Sequence, residues 1–123
     1  MQSGEAEVDE MILKDAYFAG LIDGEGHVKL TQKRPNSLRP MVTVEMTCER
    51  TVMAIYQHFG VGTVRAIPRR KPHHKDQWQW RTVYNGALSV LRRTRPFLIT
   101  KADDADRVLT YQPIGPGNWS RSK

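Results

Sequence analysis

The stretch Phe18-Ala19-Gly20-Leu21-Ile22-Asp23-Gly24-Glu25-Gly26 lies where a predicted helix gives way to a predicted strand. Apolar residues recur at helical spacing from Asp9 to Asp23, and Gly24 and Gly26 are expected to end the helix. Asp23 and Glu25 then stand at a helix C-terminus, where the macrodipole disfavours each carboxylate by about 0.3 to 1 kcal/mol. A divalent cation would offset this cost, because carboxylate oxygens and free helix carbonyls suit Mg²⁺. The alternative is a local turn in which Asp23 forms hydrogen bonds and Glu25 is solvated.

Gly20 falls inside the same helix, where glycine costs about 1 kcal/mol relative to alanine. With Ala16 and Ala19 it leaves one ridge of the helix almost without side-chain bulk, so that another helix can approach closely. Only one such helix exists in the chain, and we therefore expect the partner to be a second copy related by a two-fold axis. We assign Ala16, Ala19, Gly20 and Asp23 to this interface. The alternative is close packing of the ridge on the chain's own sheet.

The segments on either side of this helix predict the rest of the fold. Residues 27–33 and 41–47 alternate and form a hairpin, 49–59 has helical spacing, 61–67 and 77–84 form a second strand pair, and 87–93 and 102–111 are helical. The order αββαββαα predicts an α+β fold, an antiparallel four-stranded sheet with helices on one face. We expect one domain at 9–112, an acidic extension at 1–8 and a Gly/Pro/Ser-rich tail at 113–123.

The charge distribution indicates a polyanionic partner. The 123 residues carry a net charge of +6, and residues 26–101 hold fifteen basic side chains against three acids. The outward strand positions are typical of base and phosphate contacts: Lys29, Thr31, Lys33, Thr43, Glu45, Arg65, Gln79 and Arg81. In the segment 68–76, Arg69, Arg70, Lys71 and Lys75, together with His73 and His74, are expected to contact phosphates. A merely solubilising basic surface is the alternative. Trp78 and Trp80 are expected to lie in the core.

Cysteine content and the N-terminus bear on the compartment. A single cysteine, Cys48, excludes an internal disulfide and favours a reducing environment. No apolar stretch approaches the roughly 20 residues of a membrane span, and the first ten residues carry four acids and no base, unlike a targeting peptide. We expect a cytoplasmic protein in a bacterial or phage context.

The nonapeptide at 18–26 resembles the signature of the LAGLIDADG homing endonucleases. It matches seven of the nine positions when Gly24, a common variant at the seventh position, is counted as a match, and Phe18 and Glu25 are the two differences. The resemblance covers nearly the whole chain, since the order αββαββαα is the family's. The segments Phe59-Gly60-Val61-Gly62 and Arg95-Pro96-Phe97-Leu98, the latter followed by Lys101, also resemble family segments.

The resemblance implies a homodimer that cuts both strands of a long pseudo-palindromic DNA site, leaves short 3′ overhangs and serves intron homing. Glu25 and the Gly24 carbonyl match the metal ligands, and Lys101 matches a basic residue near the scissile phosphate. Asp23 joins this catalytic set, although its role looks more structural in the family. The expected cofactor is Mg²⁺, with Mn²⁺ substituting and Ca²⁺ binding without cleavage. Cys48 stands where relatives often carry a glutamine that organises water.

Two readings of the function remain at this point. Strands of about eight residues reach roughly 26 Å, so two subunits imply a site of about 16 to 22 base pairs. The alternative to an endonuclease is a non-cleaving protein on the same scaffold, either an intron RNA maturase or a DNA-binding regulator. The acid at Glu25 favours the enzyme.

Overall fold

The computed structural model describes residues 3–35, 37–68, 71–73 and 75–111, and all their side chains except those of 3–8 and 33. The predicted tail and the basic residues Arg69, Arg70 and His74 lie outside the described residues. The elements are α1 (Ser3–Glu25), β1 (Gly26–Arg34), β2 (Ser37–Met46), α2 (Glu49–Phe59), β3 (Thr63–Ile67), β4 (Gln77–Val83), α3 (Tyr84–Thr94) and α4 (Ala102–Thr110), with a 3-10 turn at Arg95–Phe97. The predicted order αββαββαα is confirmed. None of the described helices has the length and apolarity needed to cross a bilayer.

The boundary between α1 and β1 differs from the sequence prediction. The helix passes through Gly24, ends at Glu25 and is followed at once by β1, whereas Gly24 was expected to stop it. A Cβ atom on Gly26 would lie 2.7 Å from the Thr43 carbonyl oxygen and 3.0 Å from that of Ile22. The chain therefore turns from helix to strand without a loop because Gly26 lets two backbones approach. At its other end α1 begins at Ser3, inside the predicted acidic extension.

The four strands form one antiparallel sheet in the order β1-β2-β4-β3. The residues that face the helices form the core, in which each fully buried large apolar side chain contributes about 1.5 to 3 kcal/mol. Val42, Val44 and Trp80 are fully buried on this side of the sheet, as are Ile22 of α1 and Ile55 of α2. The indole N–H of Trp80 donates to the Val61 carbonyl over 2.9 Å. The prediction that the tryptophans are core residues is confirmed for Trp80, while Trp78 is half-buried.

The junction between α2 and β3 depends on two glycines in left-handed conformations. Gly60 ends α2 with φ at 70°, and its N–H donates to the Tyr56 carbonyl over 2.8 Å. Gly62 has φ at 93°, and a Cβ atom there would lie 2.6 Å from the Arg81 carbonyl oxygen. The predicted helix end at Gly60 is confirmed, and Gly62 brings β3 directly against β4.

A buried acid connects three helices. Asp15 of α1 is only 7% exposed, and its Oδ1 lies 2.7 Å from His58 Nε2 of α2 and accepts from Arg93 Nη2 of α3 over 2.8 Å. The Arg93 guanidinium also covers the Phe59 ring at 4.9 Å. Burial opposes ionisation of Asp15, but the bonds from Arg93 and His58 outweigh it and hold the pKa below its ordinary value of 3.8. The carboxylate thus fixes α1 against α2 and α3.

Replacing this acid should lower stability in a pH-dependent way. We expect Asp15→Asn to reduce the free energy of unfolding by about 2 kcal/mol at pH 7, because two charge-assisted hydrogen bonds are lost. A lowered pKa in the folded state stabilises above pH 3.8, and this contribution is lost as pH falls through the folded-state value. Urea unfolding of both proteins should therefore show a gap that narrows below about pH 4. A gap that is constant down to pH 3 would contradict the assignment. Asp106→Asn, which breaks the exposed pair with Arg95, is the control and should have a smaller effect.

Candidate active site and nucleic-acid interface

Glu25 is the last residue of α1 and points a free carboxylate into solvent. The residue is exposed, and within the described ranges its side chain forms no hydrogen bond or ion pair. Gly24 beside it is also exposed, with nothing within 4 Å of where a Cβ would lie. The last carbonyls of the helix accompany the carboxylate, and together these are hard oxygen donors of the kind that Mg²⁺ and Ca²⁺ accept. The donor set therefore fits a divalent cation.

The carboxylate of Asp23 binds the backbone at the start of α4. Its Oδ2 accepts from the backbone N–H groups of Ile99 (2.9 Å) and Thr100 (3.0 Å), and its Oδ1 accepts from that of Lys101 (2.8 Å). Burial raises the pKa of Asp23, but these three hydrogen bonds lower it by more. The pKa of the carboxyl therefore stays below its ordinary value. Asp23 was predicted as part of the catalytic set and of the interface between copies. Its geometry instead gives it a structural part, because both oxygens already serve the backbone of α4.

Lys101 is held beside the acidic motif. Its Nζ donates to the Asp23 carbonyl oxygen over 2.7 Å, although the two residues are 78 positions apart in the chain. The ammonium therefore stands among the free carbonyls at the C-terminus of α1, where a cation complements the helix dipole. Lys101 is also the N-cap residue of α4.

The bonds of Asp23 predict a stability effect. We expect Asp23→Ala to lower the free energy of unfolding by about 1 to 2 kcal/mol, as for the loss of a helix cap. Asp103→Ala removes an exposed acid in the first turn of the same helix and should change stability little. Thermal or urea unfolding followed by circular dichroism measures both. Equal effects of the two substitutions would contradict the capping role.

The exposed face of α1 is built differently from the sequence prediction. Gly20 is exposed, and a Cβ there would meet nothing within 4 Å, which excludes close packing of this glycine on the chain's own sheet. Ala19 was expected at the interface between copies, but it is fully buried in the core. It lies on the face of α1 that packs on the core, away from the face on which Gly20 is exposed. Ala16 is half-buried. Leu13 and Tyr17, 70% and 62% exposed, share the face of Gly20 instead. Their spacing of four and three residues was the signal that the sequence reasoning missed.

The strand register arranges the predicted base-contacting side chains in rows on the open face of the sheet. Arg65, Gln79 and Glu45 lie opposite one another across β3, β4 and β2, and Thr63, Arg81, Thr43 and His27 form the next row. Lys29 and Thr31 follow along β1. Exposed His27 was not anticipated, although it directly follows the motif in an alternating strand. Thr43 and Gln79 were expected to be outward, and they do belong to this face, but both are buried beneath longer neighbours at 5% and 8% exposure.

The remaining predicted residues lie at the edges of this face or beyond the described residues. Lys71 and Lys75 are exposed, whereas the side chain of Lys33 is not among those described. Cys48 is exposed at the start of α2, and its Sγ accepts from the Thr51 hydroxyl over 3.2 Å, which lowers the pKa of the thiol. In the part of the chain that the structure describes, no three His, Cys, Asp or Glu side chains group as a metal site. Within the described residues, Glu25 thus offers a carboxylate without a hydrogen bond or ion pair at the end of α1.

Comparison with known proteins places this architecture among DNA-associated enzymes. No protein-family model and no curated protein sequence matches the chain. Among solved structures, the homing endonuclease I-CvuI in complex with its target and Ca aligns with a TM-score of 0.69 and 25% identity, over 81% of this chain and 66% of that one. A second I-CvuI structure, with the I-CreI target and Mg and with the DNA not cleaved, aligns at 0.68 and 26% over the same shares. The archaeal intron-encoded homing endonuclease I-Vdi141I, complexed with DNA, aligns at 0.62 and 17%, over 78% and 64%.

The chain thus spans slightly less than two thirds of the length of these relatives. The chain has the fold of the LAGLIDADG homing endonucleases, and its nonapeptide resembles the motif of that family.

Proposed function

We propose that the chain is a metal-dependent, site-specific endonuclease that acts as a homodimer on double-stranded DNA. The observation that carries the proposal is the exposed carboxylate of Glu25, which forms no hydrogen bond or ion pair among the described residues and lies at the helix end where Lys101 donates to the Asp23 carbonyl. Two copies would present two such acids, one for each strand. The products would be short 3′ overhangs across a long pseudo-palindromic site, as in the family, in the service of intron homing.

The open face of the sheet supports duplex DNA as the partner. Its exposed cationic side chains, among them Lys29, Arg65 and Arg81, are suited to phosphates and to guanine edges. The relatives I-CvuI and I-Vdi141I were both solved with DNA. A retained free acid at the end of α1 favours cleavage over the non-cleaving alternative, because a protein that only binds a polyanion gains nothing from an unpaired carboxylate near phosphates.

The exposed face of α1 supports the homodimer. Gly20 leaves room for a second helix at close distance, and Leu13 and Tyr17 expose apolar surface on the same side. A helix related by a two-fold axis would bury these side chains against their own copies. This pairing also brings the two Glu25 residues together, since both lie at the same end of the paired helices.

Each residue at the site has a defined part in the proposed hydrolysis. The Glu25 carboxylate and the Gly24 carbonyl would hold Mg²⁺, with Mn²⁺ as a substitute and Ca²⁺ binding without cleavage. When bound, the cation supplies neutralisation of phosphoryl charge and a more acidic water. Lys101, already anchored on the Asp23 carbonyl, places a positive charge beside the scissile phosphate and stabilises the charge that develops there. Asp23 keeps Lys101 and the helix end in register.

Removing the charge of Glu25 should separate binding from cleavage. We expect Glu25→Gln to abolish cleavage of a selected duplex in Mg²⁺, while binding of the same duplex in Ca²⁺ changes by no more than a few-fold, because the sheet contacts remain. Gel assays of cleavage and binding measure the two effects. Glu49→Gln, at an exposed acid in the first turn of α2, is the control and should cleave normally. Undiminished cleavage by the Glu25 variant would refute the proposal.

A bulky side chain at Gly20 should separate the protomers. Nothing in the described part of the protomer lies within 4 Å of a Cβ at this position, and leucine favours a helix by about 0.8 to 1.0 kcal/mol over glycine, so Gly20→Leu should remain folded. We expect it to sediment as a monomer and to lose double-strand cleavage. Arg92→Leu adds the same side chain to an exposed position of α3 and should remain a dimer. A dimeric Gly20 variant would place the interface elsewhere.

A further inference from the structure

Three polar side chains on the open face of the sheet form a hydrogen-bonded row across three strands. Arg65 of β3, Gln79 of β4 and Glu45 of β2 are direct neighbours in the register. Arg65 Nε donates to Gln79 Oε1 over 3.1 Å, and Gln79 Nε2 donates to Glu45 Oε2 over 2.6 Å. We call Arg65, Gln79 and Glu45 the cross-strand row. Gln79 at its centre is 8% exposed, unlike the two charged residues at its ends.

The register places the cross-strand row at the end of the sheet that carries the acidic motif. Gly26, the first residue of β1, pairs with Val44, and Glu45 is the next residue along β2. Glu45 therefore lies level with the point where α1 delivers Glu25. Lys29 and Thr31 lie progressively farther away, toward the hairpin turn. On a duplex laid along this face, the row meets base pairs close to the cleaved phosphates.

The cross-strand row holds its two charged side chains apart and fills only part of their hydrogen-bonding capacity. Neighbouring strands are about 4.8 Å apart, so Arg65 and Glu45 are anchored roughly 10 Å from each other with the neutral amide between them. Both functional atoms of the Gln79 amide serve protein partners. Both Nη groups of Arg65 and the Oε1 atom of Glu45 form no bond among the described residues, and these atoms remain available to a ligand.

The free atoms at the two ends complement different bases. A guanidinium donates to the N7 and O6 atoms of guanine, and a carboxylate accepts from the N4 amino group of cytosine. A side chain already fixed by one hydrogen bond loses less conformational entropy on binding, and its direction is defined before the DNA arrives. The amide of Gln79 supplies that fixation to both ends at once.

We propose that Gln79 is a positioning residue that sets Arg65 to recognise guanine and Glu45 to recognise cytosine in the base pairs next to the cleavage position. The proposal rests on the proposed function, because it requires duplex DNA on this face of the sheet. It assigns one buried, neutral side chain the control of two base preferences. Neither preference should survive intact when the amide is lost.

The test is the base preference of the homodimer, selected in Ca²⁺ from a pool of randomised duplexes. We expect the wild-type protein to select a guanine and a cytosine at two positions in each half-site, both close to the centre of the full site. Gln79→Leu should reduce both preferences by about tenfold, while preferences farther from the centre persist. Arg65→Ala should remove the guanine preference and Glu45→Ala the cytosine preference.

Gln79→Glu separates the two contacts. A carboxylate at 79 still accepts from Arg65 Nε but cannot donate to Glu45, so the guanine preference should remain and the cytosine preference should fall. A general loss of stability would not produce this split. Arg92→Ala, which removes an exposed arginine of α3 on the opposite side of the sheet, is the control and should leave both preferences intact. Thermal unfolding of each variant checks that the sheet is folded.

The outcomes distinguish a failure of the positioning role from a failure of the proposed function. Sequence-selective binding in which Gln79→Leu changes neither preference, or only one, overturns the positioning role and leaves the proposed function standing. No sequence-selective binding to duplex DNA by the wild-type protein overturns both. Coupled loss in Gln79→Leu together with the split in Gln79→Glu supports the positioning role.

Discussion

The carboxylate of Asp23 holds the end of α1 against the start of α4, and the geometry of the site depends on this contact. Three backbone N–H groups from residues 99–101 converge on its two oxygens, and the Lys101 ammonium returns to its carbonyl. The negative end of one helix dipole is thereby matched with the positive end of another and with a side-chain cation. This contact fixes the Lys101 ammonium at the end of α1, the helix that carries Glu25.

This contact also explains how two acids can stand at a helix end that disfavours them. From the sequence, Asp23 and Glu25 present the same electrostatic cost, and a cation is one way to offset both. In the structure the cost of Asp23 is offset within the protein, whereas Glu25 remains unpaired in solvent. Glu25 is therefore the acid that a bound cation would neutralise, because no group of the described chain competes for its oxygens.

The sequence predicted what local periodicity determines, and it missed what depends on distant pairing. The order of elements and the glycine stop at Gly60 follow from spacing and side-chain type, and both are confirmed. The partners of Asp23 lie 76 to 78 residues away, and those of Asp15 lie 43 and 78 away, distances at which a single sequence carries no pairing signal. Ala19 was placed on the wrong side because small size was read without the phase of the helix.

The proposed dimer links the contact between copies to the spacing of the two cuts. Gly20 and Glu25 are five residues apart on one helix, an axial distance of about 7.5 Å. In a two-fold pair, the distance between the two acids is then set by how closely the helices approach at Gly20 and by the angle at which they diverge beyond it. Glycine at that point allows the shortest distance between the two helices. The tight turn at Gly26 fixes the direction of β1, and with it the sheet, relative to α1. In the proposed dimer, the distance between the two acids and the orientation of the two sheet faces therefore depend on the same helix pair, so neither can change without the other.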